Sequence, residues 1–343
     1  MIDLKSMLPE ELEAYLISLG EPKFRAKQVF SWLSKGVRDF DEMRNLPLSL
    51  RTKLAADSYI DSLSMPKKQV SRQDGTTKYL WELTDGNAVE TVVMRYEHGL
   101  TVCISSQVGC RQGCAFCAST IGGLVRNLTA SEMLDEVLYS QLDQGESISN
   151  IVIMGIGEPL DNYDAVMKFL RLVNHPEGLN IGMRHISLST CGLTEGINRL
   201  AKEDLQITLA LSLHAPDDET RSRLMPANRG RGVEAVIRCC EEYFAATGRR
   251  ITFEYAMIDG VNDSPAQAER LAALARRVKA HINLIPLNHV EERQFGPSTP
   301  EQMKAFCKIL TDRGANFTVR RSLGGDVDAS CGQLRRKREL EKT

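Results

Sequence analysis

The chain has 343 residues, with 43 lysines and arginines against 45 aspartates and glutamates, and a net charge of −2. That balance excludes a global basic field, so any surface for nucleic-acid phosphates must be local. No apolar run is long enough to span a bilayer, and the start Met1-Ile2-Asp3-Leu4-Lys5-Ser6 is not a secretory signal, so no membrane association and a cytoplasmic location are expected.

Residues from about 8 to 63 read as helical. Pro9-Glu10-Glu11-Leu12 opens a helix after Leu8, Phe24 to Leu33 repeats apolar residues at three- and four-residue spacing, and Pro47 begins a further short piece. Phe24, Phe30 and Trp32 are expected in the core of this module. Residues 78–83 and 88–94 alternate around the turn Thr84-Asp85-Gly86-Asn87, which predicts a β-hairpin. From about residue 100 strands and helices alternate. Strands are expected at 101–106, 150–155, 185–190, 206–213, 251–258 and 280–286. Helices are expected near 129–143, 162–173, 194–201, 233–246, 264–278 and 299–312, and a last strand at 316–320. Such βα repeats predict an α/β fold with a parallel sheet. About six units fit a partial (β/α)6 TIM-type barrel better than a full eight. A doubly wound sheet is the weaker alternative, because no G-x-G-x-x-G follows the first strand. The expected division is an N-terminal helical domain over 1–65, a hairpin extension over 66–98, the barrel over 99–320 and a C-terminal tail over 321–343.

The loop after the first barrel strand carries Cys110-Arg111-Gln112-Gly113-Cys114-Ala115-Phe116-Cys117. Three thiols so close can hold a metal, yet a structural zinc site closes with four protein ligands. A cysteine-rich loop, a zinc site completed from afar and an iron–sulfur cube with one open iron all remain possible on this ground. Nine cysteines without an export signal argue against a disulfide framework and suit a reduced compartment.

Barrel enzymes place chemistry at the C-terminal ends of their strands. Here those ends carry the cysteine loop, Met154-Gly155-Ile156-Gly157-Glu158-Pro159, Ser189-Thr190-Cys191-Gly192, Ser212-Leu213-His214-Ala215 and Pro286-Leu287-Asn288. Gly157 permits close backbone approach to a ligand, Glu158 can accept from an ammonium, and Ser189, Ser212 and Asn288 can hold hydroxyls and a carboxylate. Singly, Gly157-Glu158-Pro159 is a turn, Ser189 a helix cap and His214 a structural hydrogen-bonder. Together they read as a ring around a ligand.

Cys103 precedes the cysteine loop on the same strand, and Cys331 lies in the Gly-rich tail Gly324 to Gly332. An accessible thiol there is a candidate nucleophile, against the reading of an idle tail residue. Cys191, Cys239, Cys240 and Cys307 read as packing residues. Glu90 stands among valines, either on a solvent face or as a buried base, and alternation does not decide. Arg335-Arg336-Lys337-Arg338 is a solvated helix end or a grip for RNA phosphates.

These stretches, with Arg126-Asn127-Leu128 and Ser330-Cys331-Gly332, resemble the RlmN/Cfr family of radical S-adenosylmethionine (SAM) RNA methyltransferases over nearly the whole chain, and its RlmN branch more closely. Ile156 departs from the methionine of many relatives. The resemblance implies a radical SAM barrel in which Cys110, Cys114 and Cys117 hold a [4Fe-4S] cluster. It implies that Gly157, Glu158, Ser189, Ser212, Leu213, His214 and Asn288 line the SAM site, with two SAM used per turnover. Cys331 would carry a methyl group, Cys103 would release the product by forming a disulfide with Cys331, and Glu90 would be the base. The implied substrates are adenine C2 in 23S rRNA and in tRNA next to the anticodon, with flavodoxin or ferredoxin as electron donor and a monomeric enzyme. A Cfr-type adenine-C8 methyltransferase conferring antibiotic resistance shares these thiols. A non-catalytic, metal-stapled RNA-binding protein would leave Glu158, Ser212, Asn288 and Cys331 without a use.

Overall fold

The computed structural model describes residues 1–288, 290, 292–321, 323–327, 334–335 and 338. Two short parallel strands, β1 (Ile2–Asp3) and β2 (Ser58–Tyr59), bracket three helices, α1 (Pro9–Ser18), α2 (Phe24–Leu33) and α3 (Leu48–Asp57). Ala26, Val29, Phe30 and Leu33 form the buried stripe of α2, at the spacing that an amphipathic helix requires. Phe24 corrects the expected core. It is 57 % exposed, because it lies outside that register, and the Arg25 guanidinium covers its ring at 4.9 Å.

Three antiparallel strands follow, β3 (Ser64–Val70), β4 (Thr77–Glu82) and β5 (Ala88–Tyr96), so the expected hairpin gains a strand. β6 (Gly99–Ile104) pairs with β5 and leads into a small antiparallel hairpin, β7 (Gln107–Gly109) and β8 (Leu124–Asn127). Then come α4 (Ala130–Gln144), β9 (Ile148–Ile153), α5 (Tyr163–Asn174), β10 (Ile186–Thr190), α6 (Thr194–Leu200) and β11 (Thr208–Ser212). The chain continues through α7 (Asp218–Leu224), α8 (Val233–Thr247), β12 (Ile251–Met257), α9 (Pro265–Arg277), β13 (His281–Pro286), α10 (Pro300–Asp312) and β14 (Phe317–Val319). The helix starts are legible in side-chain chemistry. At α4, Thr129 Oγ1 accepts from the Glu132 amide and Glu132 Oε2 from the Thr129 amide, a reciprocal cap that satisfies two otherwise orphaned donors.

One ten-stranded sheet runs in the order β14-β13-β12-β11-β10-β9-β6-β5-β4-β3. From β6 to β14 its pairs are parallel. β14 and β3 are its two edges, so the barrel is partial and unclosed. Strand residues alternate in destination. Ile151, Ile153, Leu188, Leu209, Leu211, Phe253, Ile282 and Leu284 enter the main core, while Ser187, Ser189, Ser212, Thr252, Glu254 and Asn283 occupy alternate positions. The helical module docks through a buried lysine. Lys5 Nζ donates to Asp135 Oδ1 and Oδ2 at 2.8 and 2.9 Å and to Asp61 O at 2.7 Å, so a cation from the first turn is neutralised by a carboxylate on α4.

Candidate active site

The cysteine loop is strung between β7 and β8. Cys110 N donates to Gly123 O at 3.0 Å, and a Cβ on Gly109 would lie 2.0 Å from that same oxygen, so only glycine lets the hairpin close there. Thr120 Oγ1 donates to Cys114 O (3.1 Å) and Cys117 O (3.0 Å). Arg293 Nη2 donates to Cys117 O (3.0 Å) and to Thr120 Oγ1 (2.8 Å). Ala115 N donates to Leu224 O at 2.8 Å, which ties the loop to the end of α7. Burial and the neighbouring Cys117 push the Cys110 thiol up to about 12 despite a backbone hydrogen bond, and burial pushes Cys114 up as well.

All three thiols line one cavity of about 280 Å³, together with Met154, Gly157, Glu158, Ser189, Ser212, His214 and Asn288. Ser189 Oγ and Ser212 Oγ are 3.0 Å apart. Glu158 is buried, and its Oε2 accepts from Cys191 N at 2.7 Å and its Oε1 from Leu160 N at 3.1 Å. Burial raises its pKa. Gly157 has φ +115°, and a Cβ there would meet Ser106 Oγ at 2.6 Å and Gln107 N at 2.8 Å. Its glycine therefore serves the approach of this turn to the segment entering β7, in addition to any ligand. Leu213 departs from the expected ring. Its side chain is fully buried in the main core, and it is not among the residues lining the cavity.

Glu90 is buried on β5, settling what alternation left open. Its Oε2 lies 2.9 Å from Lys78 Nζ, with both side chains out of solvent, and its Oε1 accepts from Arg335 N at 2.5 Å. Cys103 is 7 % exposed and packs in a small cluster with Val92, Met94, Met154 and Leu323. Cys331 lies outside the described residues, as do Arg336 and Lys337. Arg338 is ion-paired with Glu82, so within the basic run this cation is engaged with the protein.

Comparison with known proteins supplies the remaining observation. The Radical SAM superfamily profile matches residues 104–275, and that of the ribosomal RNA large subunit methyltransferase N-terminal domain matches residues 2–60. The chain is 53 % identical over 338 residues to the probable dual-specificity RNA methyltransferase RlmN of Symbiobacterium thermophilum, covering 97 % of this chain and 91 % of that one. It is 52 % identical over 336 residues to the protein of the same description in Alkaliphilus oremlandii, covering 98 % of each. The chain belongs to the RlmN family of radical SAM RNA methyltransferases. The crystal structure of a radical SAM methyltransferase from Sphaerobacter thermophilus matches its fold with a TM-score of 0.91 at 45 % identity, covering 97 % of this chain and 99 % of that one.

The radical SAM family implies a [4Fe-4S] cluster and SAM, and the residues present fit both. Three thiols from one eight-residue segment share the cavity wall, and cysteine thiolates are the donors that iron–sulfur clusters take. Cys110, Cys114 and Cys117 would hold a cluster with one iron open, and the metal would deprotonate thiols that burial otherwise keeps neutral. Several of the supporting groups in this RlmN-family site were not read from the sequence. Gln107 accepts from Glu158 N and donates to Asn127 and Asp161. Cys191 lines the cavity as well as packing. Arg293 and Thr120 brace the cysteine loop. Gln107 and Arg293 act on segments distant in sequence, whereas Thr120 acts within its own loop through backbone carbonyls, which no motif marks.

His214 is neutral. Its Nδ1 accepts from Ala256 N at 3.0 Å, so the proton sits on Nε2, and burial lowers its pKa to about 3 from 6.5. A lowered histidine stabilises the fold above 6.5, and that contribution is lost as the pH falls, since the unfolded chain then binds a proton that the folded one refuses. The loss between pH 7 and pH 5 is about 2 kcal/mol. His214→Asn keeps an acceptor for Ala256 and tolerates the residue's φ of +54°. Its urea-unfolding stability is expected to fall by that much less over the same interval, and parallel pH slopes for the two proteins would refute the assignment.

Proposed function

We propose that this RlmN-family enzyme methylates C2 of adenine in 23S rRNA and in tRNA, next to the anticodon, acting in the cytoplasm as a monomer with an electron donor such as flavodoxin or ferredoxin. The reading rests above all on three cysteine thiols and the strand-end groups of β10, β11 and β13 meeting in one cavity, in a chain about half identical over its full length to dual-specificity relatives. Adenine C2 is electron-poor and offers no lone pair to a methyl sulfonium, so a radical route is required. Bound in the cavity, the cluster and SAM would supply that route as a one-electron reduction and a 5′-deoxyadenosyl radical, with two SAM consumed per methylation.

The chain's own groups have separable tasks. Glu158, Ser189, Ser212, His214 and Asn288 bind and orient SAM against the cysteine loop, with Gly157 and the Leu213 backbone shaping the wall. Cys331 accepts the methyl group and carries its carbon to the base. Glu90 removes the proton from C2. Cys103 then forms a disulfide with Cys331 as the carbon–sulfur bond to the product breaks. Residues on both sides of Cys331 support this reading. Leu323 packs against the cluster of Val92, Met94 and Cys103, and Arg335 N bonds Glu90.

The test is incubation of anaerobically reconstituted protein with SAM, a reductant and unmodified 23S rRNA or tRNA, followed by mass spectrometry of the nucleosides. 2-Methyladenosine from both RNAs is expected. 8-Methyladenosine would transfer the enzyme to Cfr-type chemistry, and unmodified adenosine in both RNAs would remove the RNA assignment.

A further inference from the structure

Arg221 on α7 is 1 % exposed. Its Nε donates to Leu213 O at 3.0 Å, its Nη1 to Asn228 Oδ1 at 2.6 Å, and its Nη2 to Cys191 O at 2.6 Å and Ser212 O at 3.3 Å. The guanidinium thus knits together the ends of β10 and β11, which carry one wall of the cavity. All four acceptors are neutral, and among the described residues no carboxylate hydrogen-bonds it. A guanidinium keeps its charge in any protein setting, and a buried charge without a counter-charge is costly.

The surroundings show where a counter-charge would come from. The groups whose fields act on Arg221 are, in order, Cys191, Cys114, Asp218 and Cys240. Asp218 supplies part of the counter-charge through its field, while its Oδ1 is hydrogen-bonded to Asn228 Nδ2 at 3.0 Å and Val233 N at 2.6 Å rather than to the guanidinium. Glu158 is bonded to the amides of Leu160 and Cys191 and not to the guanidinium. Cys114 is one of the three loop thiols and becomes a thiolate once iron is bound.

We infer that Arg221 is a built-in counter-ion of the iron–sulfur site and a positioning residue that makes its reduction easier. This rests on the cluster reading above. A fixed cation stabilises the more negative, one-electron-reduced state more than the oxidised one. It therefore raises the midpoint potential, and it does so through charge, independently of the hydrogen-bonding fork.

The experiment is an EPR-monitored redox titration of the full-length, anaerobically reconstituted protein without RNA, with iron and sulfide quantified in each sample. Arg221→Met is expected to make reduction at least tenfold less favourable, which is about 59 mV for one electron, whereas Arg221→Lys stays within about threefold of the parent. Asp218→Asn, which removes a negative charge and retains its acceptor oxygen, is expected to shift the potential the opposite way. Equal shifts in the lysine and methionine variants, or an unchanged potential in an iron-loaded Arg221→Met protein, would overturn the inference. If Arg221→Met does not fold, Asp218→Asn decides, and the absence of an upward shift overturns it. Failure of the parent protein to load iron would instead refute the cluster reading and this inference with it.

Discussion

Cys103→Ala is expected to accumulate RNA covalently joined to the protein, whereas Cys331→Ala gives no adduct and methylation at background. The two outcomes follow from the separate tasks proposed for the thiols. Without a sulfur at 103, the carbon–sulfur bond to the methylated base has no partner thiol to replace it, so the intermediate persists. Without a sulfur at 331, no methyl group is taken up and no bond to RNA forms. The setting of Cys103 makes the effect specific. It is 7 % exposed, in a cluster with Val92 and Met94, so thiols in bulk solution substitute poorly for it. Labelled RNA on a denaturing gel reports the adduct, and nucleoside mass spectrometry reports product. Only free RNA from Cys103→Ala under turnover conditions would show that Cys103 does not resolve the intermediate.

Lys78→Met is expected to cost about 3–5 kcal/mol of stability. Lys78 and Glu90 are buried on adjacent strands β4 and β5 and lie 2.9 Å apart. Removing the ammonium takes away a counter-charge 2.9 Å from a buried carboxylate, and that lost attraction is the source of the destabilisation. The double variant Lys78→Met with Glu90→Leu is expected to recover most of it, because a buried ion pair and an apolar pair of similar volume differ little in stability. Urea unfolding at pH 7 measures both. A single variant within 1 kcal/mol of the parent would mean that the buried pair does not secure this part of the sheet. The same pair bears on function, since Lys78 sets the electrostatic setting of the proposed base, and Arg335 N fixes one of its oxygens.

The alternation of strands and helices was legible because each element advertises its own period. Observed strands such as Ile186–Thr190 and Ile251–Met257 lie within a residue or two of the expected ones. The short elements α7 and the β7–β8 hairpin were not legible. The seven residues of α7 include a single apolar side chain, Leu224, so no apolar period marks it, and β7 and β8 are strands only because they pair with each other across the cysteine loop. The hairpin at 78–94 was read correctly as a turn between two strands, while its third strand, β3, is an exposed edge with little apolar alternation.

The candidate site divides in the same way. The three cysteines fall within eight residues, so their partnership is a local fact of the chain, and the polar groups at strand ends follow from the order of the βα units. What lies on which side of the solvent boundary is not local. Glu90 could not be assigned until Lys78 and Arg335 were seen to close over it. The Leu213 side chain lies in the main core, a placement that its position at a strand end does not reveal. Phe24 passed for a core residue until α2 showed its buried stripe elsewhere. Arg221 is one more charged residue in the sequence, and only the tertiary structure shows it buried, with its guanidinium bonded to the carbonyls at the ends of β10 and β11. The sequence by itself determined the βα architecture, the family and the clustered thiols, because these depend on spacing along the chain. The tertiary structure alone decided which charges are buried and what neutralises them, because desolvation is imposed by segments far apart in sequence.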